Sequence, residues 1–381
     1  MSAEVVRRSL AELGLRPRGT GEFLPAGPGH RRRTLHHAPV TDASNEPADV
    51  VLKYVLSPTP AEEQNLAWEH QATVAMHAIA VEYYESGRIP YIPVPEPLAA
   101  QPLRLQMDNG SSAMVAVRRF VHTGPQPFTT RSLGRLIAVL HQLGTDEKAL
   151  GMLTLRPANV LGGIEAGWFA RTLSAPGHPF RDRPDVVRKL LRELPNRMNR
   201  ALEADPRPLL IHRDLHPLNC VAGTGGVLAL DWAEAGWGTR SDDFAWLHLA
   251  VTRYGAPPRV LNQALAGYQE IDPGAVPGLD QVRAAGEVKE LVCLAFSLAN
   301  AGLGPDHRAQ AERELAVLED PGAEPPGWQA LFNPAIFSHP LFRPVRLPSV
   351  ISLREPSAIP AEQGGNEHIA QNGPGEVMVH P

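Results

Sequence analysis

Between Ile211 and Cys220 the sequence IHRDLHPLNC places a histidine, an arginine, an aspartate and an asparagine within ten residues. Beyond Asn219, after the hairpin-like turn GTGG, Asp231 ends the apolar run VLALD. An amide oxygen and a carboxylate so placed could meet at one magnesium ion, which prefers hard oxygen ligands. Far upstream, Lys53 lies inside the apolar run VVLKYV. Burying its ammonium is costly unless it is paired, and the helical stretch that follows offers Glu69, with Glu62 and Glu63 as competitors. A strand lysine, a helix glutamate, an Asp/Asn loop and a later aspartate are the protein groups used in phosphoryl transfer. The alternative for the loop alone is a polar turn between two buried strands, since Asp and Asn are turn formers.

The full string, taken with Asp231 and Lys53, favours the catalytic reading. His212-Arg213-Asp214-Leu215 with Asn219 five positions after the aspartate has the spacing of a kinase catalytic loop. In that pattern Asp214 faces the substrate hydroxyl and Asn219 faces a metal. A loop turning back on itself brings both side chains to one cleft.

The elements that must position these residues follow from periodicity. EVVRRSLAELG predicts a helix ending at Gly14. The segment from FLPAGPGHRRRTLHHAPV to ADVVLKYV reads as two antiparallel strands feeding a third that carries Lys53. Residues 61–80 predict a helix with Leu66, Glu69, Thr73, Met76 and Ala80 on one side and Glu62 a turn earlier on the same stripe, Glu63 and His70 falling off it. IPYIPVPEPL is extended by its prolines, and SSAMVAVRRFV reads as a strand. Downstream, RSLGRLIAVLHQLG and PDVVRKLLRELPNRMNRALEAD read as helices, the second kinked at Pro195. Short strands PLLIH and VLALDW bracket the loop. A helix starts at Asp243, and three more follow around 258–270, 279–301 and 307–319. The expected fold is α+β: a small β-rich N-terminal lobe (1–120), a larger mostly helical C-terminal lobe (121–348) and a disordered tail (349–381) rich in Gly, Pro, Gln and Asn.

With 381 residues, 43% hydrophobic and 20% charged, the chain has the composition of a soluble globular protein. A formal charge of -5 argues against nucleic-acid binding. No apolar run reaches the roughly 18 residues of a membrane span, and no secretory signal is read at the N-terminus, so the expected location is the cytoplasm. Cys220 and Cys293 are too few for a disulfide framework or a cysteine metal site.

In the order VVLKYV, the Glu69 helix, IPVPEP, LGRLIAVLH, IHRDLHPLN, LALDW and DDFAWLHL, the chain resembles the aminoglycoside phosphotransferase and choline kinase superfamily, over roughly residues 25 to 250. That resemblance implies a bilobal protein-kinase-like fold and an ATP- and Mg2+-dependent transfer of the γ-phosphate to a hydroxyl of a small molecule. It implies that Asp214 orients or deprotonates the hydroxyl, that Asn219 and Asp231 hold magnesium, and that Lys53, fixed by Glu69, meets the α- and β-phosphates. His212 would brace the loop, and His216 and Asp243 would have supporting roles. His141 matches a position of packing and hydrogen bonding. Gly27 and Gly29 in PAGPGHRRR are the candidates for a phosphate-covering turn, without the G-x-G-x-x-G spacing. The chain departs from the pattern at Arg213 and Leu218, where the family usually has glycine.

A protein-directed kinase would show Asp-Phe-Gly and Ala-Pro-Glu; this chain reads Asp231-Trp232-Ala233 and passes straight into a helix. A binding module without catalysis would lack Lys53, Asp214 or Asp231, and all are present. Residues 261–324 hold eleven Asp/Glu against four Arg/Lys, an excess that favours a cationic substrate, an aminoglycoside or other antibiotic first. A metabolic kinase acting on choline, homoserine or a sugar is the alternative. Trp237 is a candidate for the cleft wall, with core packing as its other reading.

Overall fold

The computed structural model describes residues 2–24, 33–42, 44–122, 128–152, 171–204, 209–223, 225–319 and 341. All the described residues fall within one unit, Met1–Pro344. Gly27, Gly29 and the expected tail lie outside the described residues.

Helix α1 (Ser2–Glu12) stops where Gly14 takes a φ of 67°, a conformation that glycine adopts without a Cβ clash. Next come β1 (Arg16–Pro17), β2 (Glu22–Leu24), β3 (Arg33–Thr41) and β4 (Pro47–Leu56). Helix α2 (Pro60–Glu85) then precedes β5 (Leu103–Gln106) and β6 (Ser112–Arg119). The six strands make one antiparallel sheet in the order β1-β3-β4-β6-β5, with β2 also beside β3. β4 lies between two neighbours, and Val50, Leu52, Lys53, Tyr54 and Val55 are all buried. Lys53 is level with Leu35 on β3 and Ala116 on β6. An ammonium here needs a partner from the covering helix. β5 is a strand that periodicity did not reveal.

α2 starts at a capping box: Thr59 accepts from the Glu62 N–H, and the Glu62 carboxylate accepts the Thr59 N–H at 2.8 Å. The expected stripe is buried, and so are Trp68 and His70 beside it. His70 is not a surface residue because the 89–100 segment covers that side, where Ala99 O meets its Nε2 at 2.8 Å.

The larger lobe contains α3 (Thr130–Gly144), α4 (Glu147–Met152), α5 (Pro184–Ala204), α6 (Ala245–Thr252), α7 (Arg259–Ile271), α8 (Leu279–Asn300) and α9 (Pro305–Glu319). α3 and α7 approach at two glycines. A Cβ on Gly134 would lie 1.8 Å from Ala264 O, and one on Gly267 would lie 1.9 Å from Arg131 O. Leu136, Leu140 and Trp232 belong to the core beneath them, and a second core joins α5 to α8 and α9 through Leu190, Leu194, Leu291 and Leu315. The described part of the chain is thus an α+β, bilobal, protein-kinase-like fold.

Four short strands frame the loop: β7 (Leu209–Ile211), β8 (Cys220–Ala222), β9 (Val227–Ala229) and β10 (Gly236–Gly238). The two expected strands are present but belong to different ribbons, β7 with β10 and β9 with β8. Asp243 sits in a 3₁₀ turn, Arg240–Phe244, just ahead of α6. Among the described residues no helix is long and apolar enough to cross a membrane.

Candidate active site

The buried Glu69 carboxylate gathers the upper half of the site. Its Oε2 accepts from Lys53 Nζ at 2.7 Å, and its Oε1 accepts from Arg118 Nη2, at the end of β6, at 2.8 Å. Lys53 also reaches Asp231 Oδ1 at 3.0 Å, across 178 positions of sequence. The competitors are engaged elsewhere: Glu62 in the α2 cap and Glu63 with Arg104 at 2.9 Å. Burial alone would push the Glu69 carboxyl up, but the Lys53 and Arg118 charges outweigh it and hold it below its usual value.

The loop is built on Asp243. Its Oδ1 accepts the Arg213 N–H at 2.7 Å, and its Oδ2 accepts the His212 N–H and meets His141 Nε2, both at 3.2 Å. Burial opposes ionisation of Asp243; its bond to His141 and the neighbouring charges and N–H groups prevail, so its pKa lies below the ordinary one. His212 Nε2 meets Leu230 O at 2.7 Å, and a carbonyl only accepts, so the proton is on Nε2. Nδ1 then accepts the Asp214 N–H at 3.3 Å. His212 therefore ties the loop to the residue preceding Asp231. The Leu230 N–H completes that tie on Asn219 O at 2.8 Å.

Asn219 donates through Nδ2 to Asp214 O at 2.9 Å and to Asp214 Oδ2 at 3.1 Å. The Asn219 amide oxygen and the Asp231 carboxylate, one residue beyond the Leu230 N–H that bonds Asn219 O, are hard oxygen donors of the kind that could hold a divalent cation such as magnesium. Arg213 and Asp231 both have positive φ, 66° and 56°. Asp tolerates that region through local hydrogen bonding, whereas arginine has no such compensation. Glycine is the unstrained residue at position 213, but Leu218 sits in the 3₁₀ turn Pro217–Asn219 and is not among the residues of positive φ. The departure at Leu218 leaves Asn219 against Asp214.

Asp214 is surrounded by donors. Trp246 Nε1 gives to Oδ1 at 2.8 Å, Lys289 Nζ lies 3.3 Å from the same oxygen, and His216 Nε2 lies 3.5 Å from Oδ2. Burial would raise the Asp214 pKa, but Lys289, His216 and the Trp246 N–H hold it well below the usual carboxylate range. Arg118, Trp246 and Lys289 escaped the sequence reading. Arg118 had a signal, a cation ending an apolar strand; Trp246 and Lys289 lie in ordinary helices.

Beside Asp214 opens a pocket of about 190 Å³, lined by Arg213, Glu234, Trp237, Asp242 and Lys289, with apolar walls from α5 and α8 that include Leu194 and Val288. Trp237 is 43% exposed and lines the cleft, whereas Trp232 is core, packed on His212. Among the described residues, the carboxylates of 261–324 are absent from this lining. Glu270 pairs with Arg131 and Arg135, Asp280 with Arg283, Glu290 with Arg253, and Glu312 with Arg308. Cys220 is buried beside Asn219, and burial raises its thiol pKa, which leaves it an unreactive core residue.

None of the curated proteins matches the chain. Its fold is similar to that of amicoumacin kinase hAmiN, solved with AMP-PNP, Ca2+ and Ami (14% identity, 84% of this chain and 94% of that one, TM-score 0.54). It is also similar to the microcompartment-associated aminopropanol kinase (15% identity, 82% and 98%, TM-score 0.52). At such identities these likenesses speak to fold. The model of the phosphotransferase enzyme family (APH) matches residues 43–284, the stretch that holds Lys53, the loop and Asp231, and the chain therefore belongs to that family of kinases that move phosphate to a hydroxyl of a small molecule.

Proposed function

We propose that the chain is an ATP- and magnesium-dependent O-phosphotransferase in which Asp214 orients the accepting hydroxyl. The observation that carries this reading is the linkage of four chemistries at one place: Lys53 on Asp231, Asn219 on Asp214, and Leu230 on Asn219. Lys53, held by Glu69, meets the α- and β-phosphates; Asn219 and Asp231 hold the metal. Magnesium, when bound, neutralises charge on the phosphate oxygens. The hydroxyl oxygen bonds to the γ-phosphorus as the bond to the bridging oxygen breaks, and its proton passes to Asp214 and on to solvent. A carboxylate so well supplied with donors is a weak base, so its main work is to aim the hydroxyl. Gly27 and Gly29 are proposed to cover the phosphates. His212, His216 and Asp243 brace the loop.

For the substrate, a cationic antibiotic, an aminoglycoside first, is the class to test before choline, homoserine or sugars. With Glu270, Asp280, Glu290 and Glu312 engaged by arginines, the support for a cation comes from Glu234 and Asp242 on the pocket wall. The test is ADP release over a panel of these compounds. The active substrate should lose turnover by about 100- to 10,000-fold in Asp214→Asn while ATP binding persists. Turnover of Asp214→Asn at the parent rate would refute the mechanism.

A further inference from the structure

Arg213 replaces a glycine usual in the resembling family at a backbone position that penalises side chains, φ 66°. Its N–H is clamped by Asp243 at 2.7 Å, so the chain direction there is fixed. Arg213 lines the pocket beside Asp214, and among the described residues its guanidinium has no hydrogen-bond or ion-pair partner. The other cation of the wall, Lys289, is committed to Asp214 at 3.3 Å. Of the two wall carboxylates, Asp242 feels the Arg213 charge but already accepts the Thr239 N–H at 2.7 Å. Leu194, Met198, Val288 and the exposed Trp237 supply apolar surface around these charges.

We propose that Arg213 is a specificity-determining residue, and that the hydroxylated substrate carries a carboxylate on an apolar body. The proposal rests on the phosphotransferase reading for its hydroxyl and goes beyond it for its acid. A guanidinium offers a planar fork of donors that matches a carboxylate in two parallel bonds. Glu234 and Asp242 repel an anion from the rest of the wall, so a single acid group is steered to Arg213. The apolar walls take the apolar body of such a ligand.

The test uses the full chain with 4-phenylbutyrate and its neutral amide as probes, followed by titration calorimetry. The acid should bind at least about tenfold more tightly than the amide, the scale of one charge-assisted contact. Arg213→Gly, which relieves the backbone, should abolish the preference, and Arg213→Gln should do the same if the glycine variant melts early. Arg213→Lys should retain a reduced preference. Equal binding of acid and amide, no binding of the acid, or a preference that survives both Arg213→Gly and Arg213→Gln would overturn the assignment. Displacement of a fluorescent ATP analogue by ATP is read on the same samples. Failure there, with the acid preference intact, would overturn the kinase reading and leave Arg213 in its role.

Discussion

The Lys289 ammonium lies 3.3 Å from Asp214 Oδ1 and 4.4 Å from the centre of the Trp246 ring, so the pocket wall and the loop carboxylate share one cation. Its charge is the largest of those that hold Asp214 below the carboxylate range against burial. Replacing it with Met raises the Asp214 pKa. A carboxylate is lost by protonation as pH falls, so the acid limb of kcat should move to higher pH in Lys289→Met and stay near the parent position in Lys289→Arg. The pH–rate profile of ADP release measures this, and an unmoved limb in Lys289→Met would contradict it.

Glu69 is fully buried and serves two cations. Glu69→Ala strands Arg118 and leaves Lys53 to Asp231, and breaking a buried pair from one side costs about 3–5 kcal/mol. Urea unfolding should show a loss of that size. Glu69→Gln should lose less stability, yet bind nucleotide more weakly because Lys53 is then drawn to Asp231.

Asp243 and Glu69 both have depressed folded-state pKa values. Their contribution is present above the unfolded value of about 4 and disappears as pH falls through the lower folded values. Urea midpoints should therefore decline as the medium is acidified below that value. Asp243→Asn should flatten the decline and, with His212, Arg213 and His141 losing a charged acceptor, should cost about 1–3 kcal/mol at neutral pH.

Gly134→Ala and Gly267→Ala each drive a methyl into a carbonyl oxygen across the α3–α7 contact. Each should destabilise the fold by about 1–3 kcal/mol by overpacking, read as a lower Tm with the far-UV spectrum unchanged. Gly151→Ala, with nothing within 4 Å of the added carbon, is the neutral comparison.

The local pattern of the sequence determined the elements that carry the candidate site and named most of the residues that meet there. A lysine in an apolar strand, a glutamate on the next helix and the Asp-x4-Asn loop are short-range signals, because strand and helix periods and loop spacing are properties of neighbouring residues. Which glutamate meets Lys53 was open in the sequence. It closed only when the α2 cap took Glu62 and packing on the sheet turned Glu69 inward. Lys53 on Asp231, Lys289 on Asp214 and the pairing of β7 with β10 join residues far apart in the chain. Composition told of acidic helices, yet only folding set Glu270 and Glu290 against arginines and put Arg213, Trp237 and two other carboxylates around the pocket. Charge is additive along a chain, but its field at a site depends on distance and burial, and those are fixed by the tertiary structure alone.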